Sequence, residues 1–236
     1  MSSYKIIGII VATTFMLTVL GLYYQLSFVL KRKQLSFLGQ LNYERPTDIL
    51  SLNQLSSMFL ACYAFFLYGV CLNLANHYLA WPRFLGMLVL ILLFYQIVVD
   101  RKNLISNIVF YAAIYMSLVG ILVFLFGHQI QHITKYISQG LVVLGTIILA
   151  QGYTHQILII RRYGKTGASS IKLHQLVLVT AISTVIFGFV IGLKNGWPLI
   201  LLASVSTTLK LITLWCFRWV RVSKKAELLK QCYHQN

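Results

Sequence analysis

Long apolar stretches, separated by short polar and charged segments, follow one another along the whole chain. A helix needs about 20 mostly apolar residues to cross the hydrocarbon core of a bilayer. Seven stretches of about that length are present: residues 6–30, 49–74, 79–98, 104–126, 137–160, 172–193 and 196–217. We expect the first to be a span rather than a signal peptide, because no small-residue cleavage site comes after it. The pattern therefore predicts an all-α membrane protein with seven transmembrane helices.

The composition agrees with this pattern and excludes an ordinary soluble domain. Of the 236 residues, 58% are hydrophobic and 10% are charged, whereas soluble domains have about 25% charged residues. The net charge of +16 could indicate a nucleic-acid partner, but no stretch is long and polar enough to form a basic binding module. We therefore expect no nucleic acid. The partner that the charges indicate is the lipid bilayer.

Lysine and arginine are distributed unequally between the two ends of the predicted spans. Fifteen lie in the loops after the first, third and fifth spans and in the C-terminal segment. The opposite end carries four, which are Lys5, Arg83, Lys135 and Lys194. The positive-inside rule then places the N-terminus outside and the C-terminus in the cytoplasm, in a plasma or inner membrane. The remaining cation, Lys210, lies within the last span.

An internal repeat is visible at three successive places. Near the ends of the first and fifth spans a glycine precedes a glutamine by four residues, at Gly21 and Gln25 and again at Gly152 and Gln156. The second and sixth spans open with similar tetrapeptides, residues 52–55 and 173–176, which contain Gln54 and Gln175. The third and seventh spans begin with a Trp-Pro pair, Trp81-Pro82 and Trp197-Pro198. Since the three matches occur in the same order, we interpret them as two related three-helix units.

Two three-helix units in tandem would point in opposite directions, because each contains an odd number of crossings. The span at residues 104–126 restores the direction, so that the two units run parallel about an axis along the membrane normal. We therefore expect a 3+1+3 architecture. Its parts are a first repeat at residues 1–98, an inversion helix at 99–130, a second repeat at 131–219 and a basic cytoplasmic tail at 220–236.

These residues resemble the PQ-loop and SWEET (MtN3-like) transporter superfamily over nearly the whole chain. The resemblance implies seven helices in a 3+1+3 order, and alternating access for solutes of the sugar or amino-acid class. Members of that family have a Pro-Gln pair near the cytoplasmic end of the first helix of each repeat. Here Gln25 and Gln156 take the glutamine positions, while Tyr24 and His155 stand where the prolines are expected.

The repeat motifs suggest an intracellular gate. Four glutamines lie about five residues from a predicted cytoplasmic span end, which are Gln25, Gln54, Gln156 and Gln175. An amide both donates and accepts hydrogen bonds, so these side chains could pair when the gate closes and take water when it opens. The alternative is that they merely hold the helices together. With the prolines absent, we expect Gly21 and Gly152 to be the hinges.

Lys210 is the one charged residue deep within an apolar stretch. It lies twelve residues after Pro198, about 18 Å along a helix, near the midplane where transporters of this kind bind substrate. Ser206 and Thr207 precede it by one turn on the same face. We expect these three residues to form a pocket wall for a carboxylate, hydroxyl or phosphate. The alternative is that the lysine stem snorkels towards the basic end of the span.

Two further sets of residues have competing interpretations. The Trp-Pro pairs at positions 81–82 and 197–198 are typical of interfacial anchors with proline in the first helical turn, and an extracellular gate is the alternative. His155 and His174 could titrate near neutral pH and serve as a proton site, although a structural role is the simpler interpretation.

The sequence offers no catalytic signature. No nucleophile elbow, metalloprotease motif, phosphate loop or pair of carboxylates within an apolar stretch is present, and the four cysteines have no metal-ligand spacing. We expect no enzymatic activity, no cofactor and no bound metal. The predicted function is transport of a small polar solute, with facilitated diffusion favoured over proton symport because no carboxylate lies within a span. A membrane receptor or cargo-binding protein of the same fold is the alternative, and a homo-oligomer is left open.

Overall fold

The computed structural model describes residues 3–39, 45–71, 77–126 and 131–235. This part of the chain is helical, without β-strands, and forms eight helices joined by short connections. The helices are α1 (Ser3–Phe37), α2 (Leu52–Cys71), α3 (His77–Arg101), α4 (Leu104–Phe126), α5 (Gln131–Tyr163), α6 (Ile171–Ile191), α7 (Leu193–Val222) and α8 (Lys224–Gln235). The predicted all-α class is confirmed. The segment expected to be a basic tail, residues 220–236, contains the end of α7 and then α8, which packs on α5 and α7.

Six of the described helices are long and apolar enough to cross a bilayer, namely α1, α3, α4, α5, α6 and α7. Six such helices make the chain a multi-pass membrane protein. The stretch at residues 49–74 corresponds to α2, which is not one of the six. The first six residues of α2 include Asn53, Gln54, Ser56 and Ser57, and these polar side chains lower its mean hydropathy. The seventh span therefore stays a prediction.

Helices α1 to α7 form two groups of three and a peripheral helix, α4. In the first group α3 packs against both α1 and α2, and in the second α7 packs against both α5 and α6. Contacts between the groups join α1 to α6 and α2 to α5. Helix α4 lies against α2 and α3, and 17% of its apolar window is buried, against 33–44% in the other five spans. Its apolar side chains consequently face the surroundings, as in a helix bathed in lipid.

The first and third helices of each group run parallel. Along α1, the Phe15 ring meets Arg83 of α3, and further on Lys33 donates a hydrogen bond to Gln96. The contacts therefore advance along both helices together. Helices α5 and α7 behave in the same way, because the Tyr153 ring meets Lys210 and the later Arg161 meets Trp215.

The second and third helices of each group run antiparallel. Phe59 and Phe66 of α2 meet Phe94 and Phe84 of α3, respectively, so the order reverses between the helices. Between α6 and α7, an early residue, His174, contacts the late Phe217, whereas Gly188 and Gly196 meet near the tight turn between the two helices. The two groups thus share one internal arrangement.

The helices carrying the Trp-Pro pairs begin earlier than the sequence indicates. Pro82 and Pro198 are each the sixth residue of their helix, α3 and α7, so the expectation of proline in the first turn is wrong. Proline has no backbone N–H, so the carbonyl four residues before it loses its helical hydrogen bond. Because that carbonyl lies in the first turn, the rest of the helical hydrogen bonding is intact. Trp81 and Trp197 are about half exposed, and their role as interfacial anchors or as an extracellular gate stays a prediction.

Candidate functional site

Gln25 of α1 holds the chain just before α6. Its side chain is fully buried, and its Nε2 donates to the carbonyl of Ala168. Its Oε1 accepts from the backbone N–H of Ser170 at 2.7 Å. Because Ser170 immediately precedes α6, the amide satisfies backbone groups that a helix start leaves unpaired. One side chain of the first group of helices thereby holds the segment that leads into α6 of the second group.

Gln156 of α5 makes the equivalent pair of hydrogen bonds in the other direction. Its Nε2 donates to the carbonyl of Ile49 at 3.2 Å, and its Oε1 accepts from the N–H of Ser51 at 2.9 Å. Ser51 immediately precedes α2. In both groups, then, a glutamine of the first helix binds residues two apart in the segment that leads into the second helix of the opposite group. We call the two arrangements the glutamine clamps.

The clamps correct the alignment of the two repeats. Helices α2 and α6 begin 119 residues apart, at Leu52 and Ile171, whereas matching Gln54 to Gln175 requires 121. Two residues amount to about 200° around a helix. Gln54 is accordingly buried and Gln175 exposed, so the structure does not bring Gln175 to the other three glutamines.

The segments held by the clamps also bind each other. The N–H of Ala168 donates to the carbonyl of Asp48 at 2.9 Å, and Lys165 Nζ forms an ion pair with the Asp48 carboxylate, also at 2.9 Å. Arg101 of α3 donates to the Thr47 carbonyl at 2.9 Å. These contacts lie at the end of the bundle where α3, α5 and α7 finish in basic residues and where α1 carries Lys31, Arg32 and Lys33. At this basic end the two groups are locked together.

Gly21 and Gly152 lie at close contacts between the two groups. A Cβ on Gly152 would be 2.0 Å from the Ser57 hydroxyl and 2.9 Å from the Asn53 carbonyl, both on α2. A Cβ on Gly21 would lie 3.1–3.2 Å from Leu173 of α6. Both glycines stand inside unbroken helices. Close packing between the groups accounts for them, and bending at these positions stays a prediction.

A small cavity lies between the two groups of helices. Its volume is about 40 Å³, which is room for a few water molecules. Both groups contribute to its lining, with Thr18, Cys62 and Arg83 from the first and Tyr153, Thr180 and Ser206 from the second. The polar lining groups are hydroxyls, a thiol and one guanidinium.

Arg83 was expected in the group of cations at the outer end, but the structure places it in the cavity wall. Its guanidinium lies 4.1 Å from the centre of the Phe15 ring and 4.7 Å from that of Phe65, and it donates a hydrogen bond to the Cys62 sulfur. Within the part of the chain that the structure describes, its buried Nε has no hydrogen-bond partner. Its position near the predicted start of a span made it resemble a loop cation. The sequence signal that could have revealed it is an arginine four residues inside an apolar stretch.

Lys210 is fully buried but does not line the cavity. Its Nζ lies 2.9 Å from Nδ1 of His174 and 3.8 Å from the centre of the Tyr153 ring. His174 Nε2 in turn lies 3.0 Å from the Ser169 hydroxyl. A polar chain therefore joins the cavity residue Tyr153, through Lys210 and His174, to the segment held by the Gln25 clamp.

The remaining predicted site residues are distributed around this chain. Ser206 lines the cavity and hydrogen-bonds to Tyr153. The Thr207 hydroxyl donates a hydrogen bond to the Ala203 carbonyl of its own helix, at 2.8 Å. His155 has an exposed side chain whose Nδ1 lies 3.0 Å from the Ser51 hydroxyl, beside the second clamp. His155 and His174 therefore occupy different surroundings, one exposed and one buried.

Neither the family models, the curated proteins nor the solved structures contain a match to this chain. Among the described residues, no three His, Cys, Asp or Glu side chains come together in a group that could hold a metal. The function has to be inferred from the clamps, the cavity and the polar chain themselves.

Proposed function

We propose that this chain is a seven-helix transporter for a small polar solute, with the 3+1+3 architecture of the PQ-loop and SWEET superfamily. In this proposal α2 is the remaining span, α1 to α3 and α5 to α7 are the two repeats, and α4 is the inversion helix. The basic end is the cytoplasmic end. The shared helix directions of the two groups and the peripheral position of α4 support this assignment.

The observation that carries the proposal is the pair of glutamine clamps at the basic end, together with a cavity between the same two groups of helices. Each clamp joins the two groups reciprocally, and the cavity lies between the same groups. A solute bound there is released towards the cytoplasm only when the clamps separate. Alternating access requires such a site between two repeats with a gate on one side of it. Since both clamps are formed, this arrangement corresponds in the proposal to a state closed at the basic end.

Holding the helices of a bundle together would not by itself require the two glutamine clamps. Interhelical hydrogen bonds in membrane proteins are typically worth about 0.6 kcal/mol, and simple side-chain pairs between spans would supply them. Here the buried amides instead bind the segments that connect the helices, where the two groups meet. This is the position at which rocking of one group against the other would open a path.

Counterflow in proteoliposomes tests the transport function. Vesicles containing the purified full-length chain are loaded in turn with unlabelled sugars, amino acids and small organic acids, and uptake of the labelled solute is followed. We expect exchange of one class, without a pH gradient if transport is facilitated. Binding of a solute with no accumulation beyond that of empty vesicles would indicate the receptor alternative and overturn the transport proposal.

A further inference from the structure

Arg83 is a cation that has no counter-ion among the described residues. The described acidic residues are Asp48 and Asp100 at the basic end and Glu227 in α8. Asp100 is 17 residues further along α3 than Arg83, which is about 25 Å along the helix. The faces of Phe15 and Phe65 attract the guanidinium, but an aromatic quadrupole does not neutralise its charge. Burial within a membrane span makes such an uncompensated charge costly, and residues of this kind mark ligand pathways.

The guanidinium is also incompletely bonded, and it lines the cavity. Arginine carries five N–H donors, and here the buried Nε has no partner among the described residues. Donors left unpaired in a dry site are unfavourable unless a ligand accepts from them. A carboxylate suits this position, because its two oxygens can accept from two guanidinium N–H groups at once.

The rest of the cavity restricts what accompanies the carboxylate. None of its described lining residues is acidic, so an ammonium group would find no counter-charge there. Met58, Phe65 and Leu202 supply an apolar wall, and Ser206 and Tyr153 supply hydroxyls. The volume of about 40 Å³ favours a solute with few heavy atoms.

We propose that Arg83 binds the carboxylate of a small monocarboxylate, such as a short fatty acid or hydroxy acid, in the cavity between the two helix groups. The proposal rests on the proposed function in so far as this anion is the transported solute. It assigns anion recognition to Arg83 rather than to Lys210, whose ammonium is already occupied by His174 and Tyr153. It also disfavours neutral sugars and zwitterionic amino acids as substrates.

Binding can be tested on the purified full-length protein without assuming transport. Thermal unfolding is measured with propionate and lactate, and with their neutral isosteres propionamide and lactamide, at matched ionic strength. Alanine serves as the zwitterionic probe. We expect the carboxylates to raise Tm in a saturable manner and the isosteres and alanine to do so weakly or not at all. Equal shifts by propionate and propionamide, or no shift by any carboxylate, would overturn the proposal.

Variants then assign the binding to Arg83. We expect Arg83→Gln to weaken propionate binding at least about tenfold, because charged hydrogen bonds are lost, and Arg83→Lys to retain part of it. The matched control is Arg161→Gln, since Arg161 also lies over an aromatic ring, Trp215, and beside a thiol, Cys216, but is exposed. Unchanged propionate affinity in Arg83→Gln would refute the assignment.

Binding and transport fail separately. If Arg83→Gln does not fold, the comparison of carboxylates with their neutral isosteres in the unmodified protein still decides the proposal. Carboxylate binding without counterflow would leave the anion site standing and remove the transport function. Counterflow of a neutral sugar, with no effect of propionate on Tm, would support the transport function and refute the anion site.

Discussion

Substitution of Lys210 should change transport without lowering the stability of the protein. On insertion scales a charge at the centre of a span costs about 2.5–3.5 kcal/mol, while the partner atom on His174 would lose a hydrogen bond worth about 1–3 kcal/mol. We therefore expect Lys210→Met to leave the free energy of unfolding unchanged or raise it by about 1 kcal/mol. Solute exchange should nevertheless fall several-fold, because the polar chain from the cavity to the Gln25 clamp is broken. Chemical denaturation and counterflow measure the two effects.

The control for this variant is Lys172→Met. Lys172 is exposed and also lies over a tyrosine ring, that of Tyr24, at 4.6 Å, so the substitution removes a charge and a similar ring contact at the surface. Both stability and exchange should change little. A loss of more than about 2 kcal/mol in Lys210→Met would mean that the buried ammonium is a net stabilising partner of His174.

Among helix elements, α5 offers an internal comparison of two glycines. A methyl group on Gly152 would be forced into the Ser57 hydroxyl and the Asn53 carbonyl of α2, whereas nothing lies within 4 Å of a Cβ on Gly140. Overpacking of this kind typically costs about 1–3 kcal/mol, and alanine at an open helical position gains about 0.5–1 kcal/mol over glycine. We expect Gly152→Ala to lower the free energy of unfolding and Gly140→Ala to raise it.

Gly21→Ala should fall between these two variants, because its nearest neighbours, atoms of Leu173, lie 3.1–3.2 Å from the built Cβ. Adding Ser57→Ala to Gly152→Ala should recover part of the lost stability, since the closest clash is with the serine hydroxyl. If Gly152→Ala were as stable as Gly140→Ala, the close approach of α5 and α2 would not be needed for folding.

At the scale of the whole molecule, periodic apolarity and repeated motifs are the properties that the sequence alone reveals. The helical class and six apolar helices are predictable from the lengths of the stretches. Gln25 and Gln156 were found because their spacing from a glycine repeats along the chain. The sequence did not reveal their partners, which are backbone groups of Ile49, Ser51, Ala168 and Ser170. These groups lie in segments more than 100 residues away, and every residue type has a backbone, so no sequence pattern identifies them.

Arg83 and Gln175 also show that the sequence does not reveal side-chain direction, since Arg83 was expected outside and is buried, whereas Gln175 was expected inside and is exposed. Arg83 was counted as a loop cation because charge counting along the chain ignores which face of a helix a residue occupies. Gln175 was grouped with Gln54 because similar tetrapeptides aligned at the wrong offset, and a shift of two residues turns a side chain from the interior to the surface. Patterns along the chain thus locate the elements, whereas side-chain direction depends on how the helices pack.

The reciprocal clamps make a prediction about the whole molecule, and Cys62 in the cavity wall is its reporter. Leucine at Gln25 or Gln156 leaves a buried N–H and a carbonyl without partners, at about 1–3 kcal/mol each, so the state closed at the basic end loses population. In a background with Cys71, Cys216 and Cys232 changed to alanine, a charged thiol reagent applied from the basic side should modify Cys62 at least about tenfold faster in either variant.

Because the two clamps are equivalent, Gln25→Leu and Gln156→Leu should accelerate labelling to a similar degree. Once either has opened the gate, the second should add less than the product of the single effects, since both act on one equilibrium. Gln175→Leu makes the same substitution at an exposed position and should leave the rate unchanged. Acceleration by only one clamp variant, or equally by Gln175→Leu, would show that the two groups of helices do not open about a shared axis.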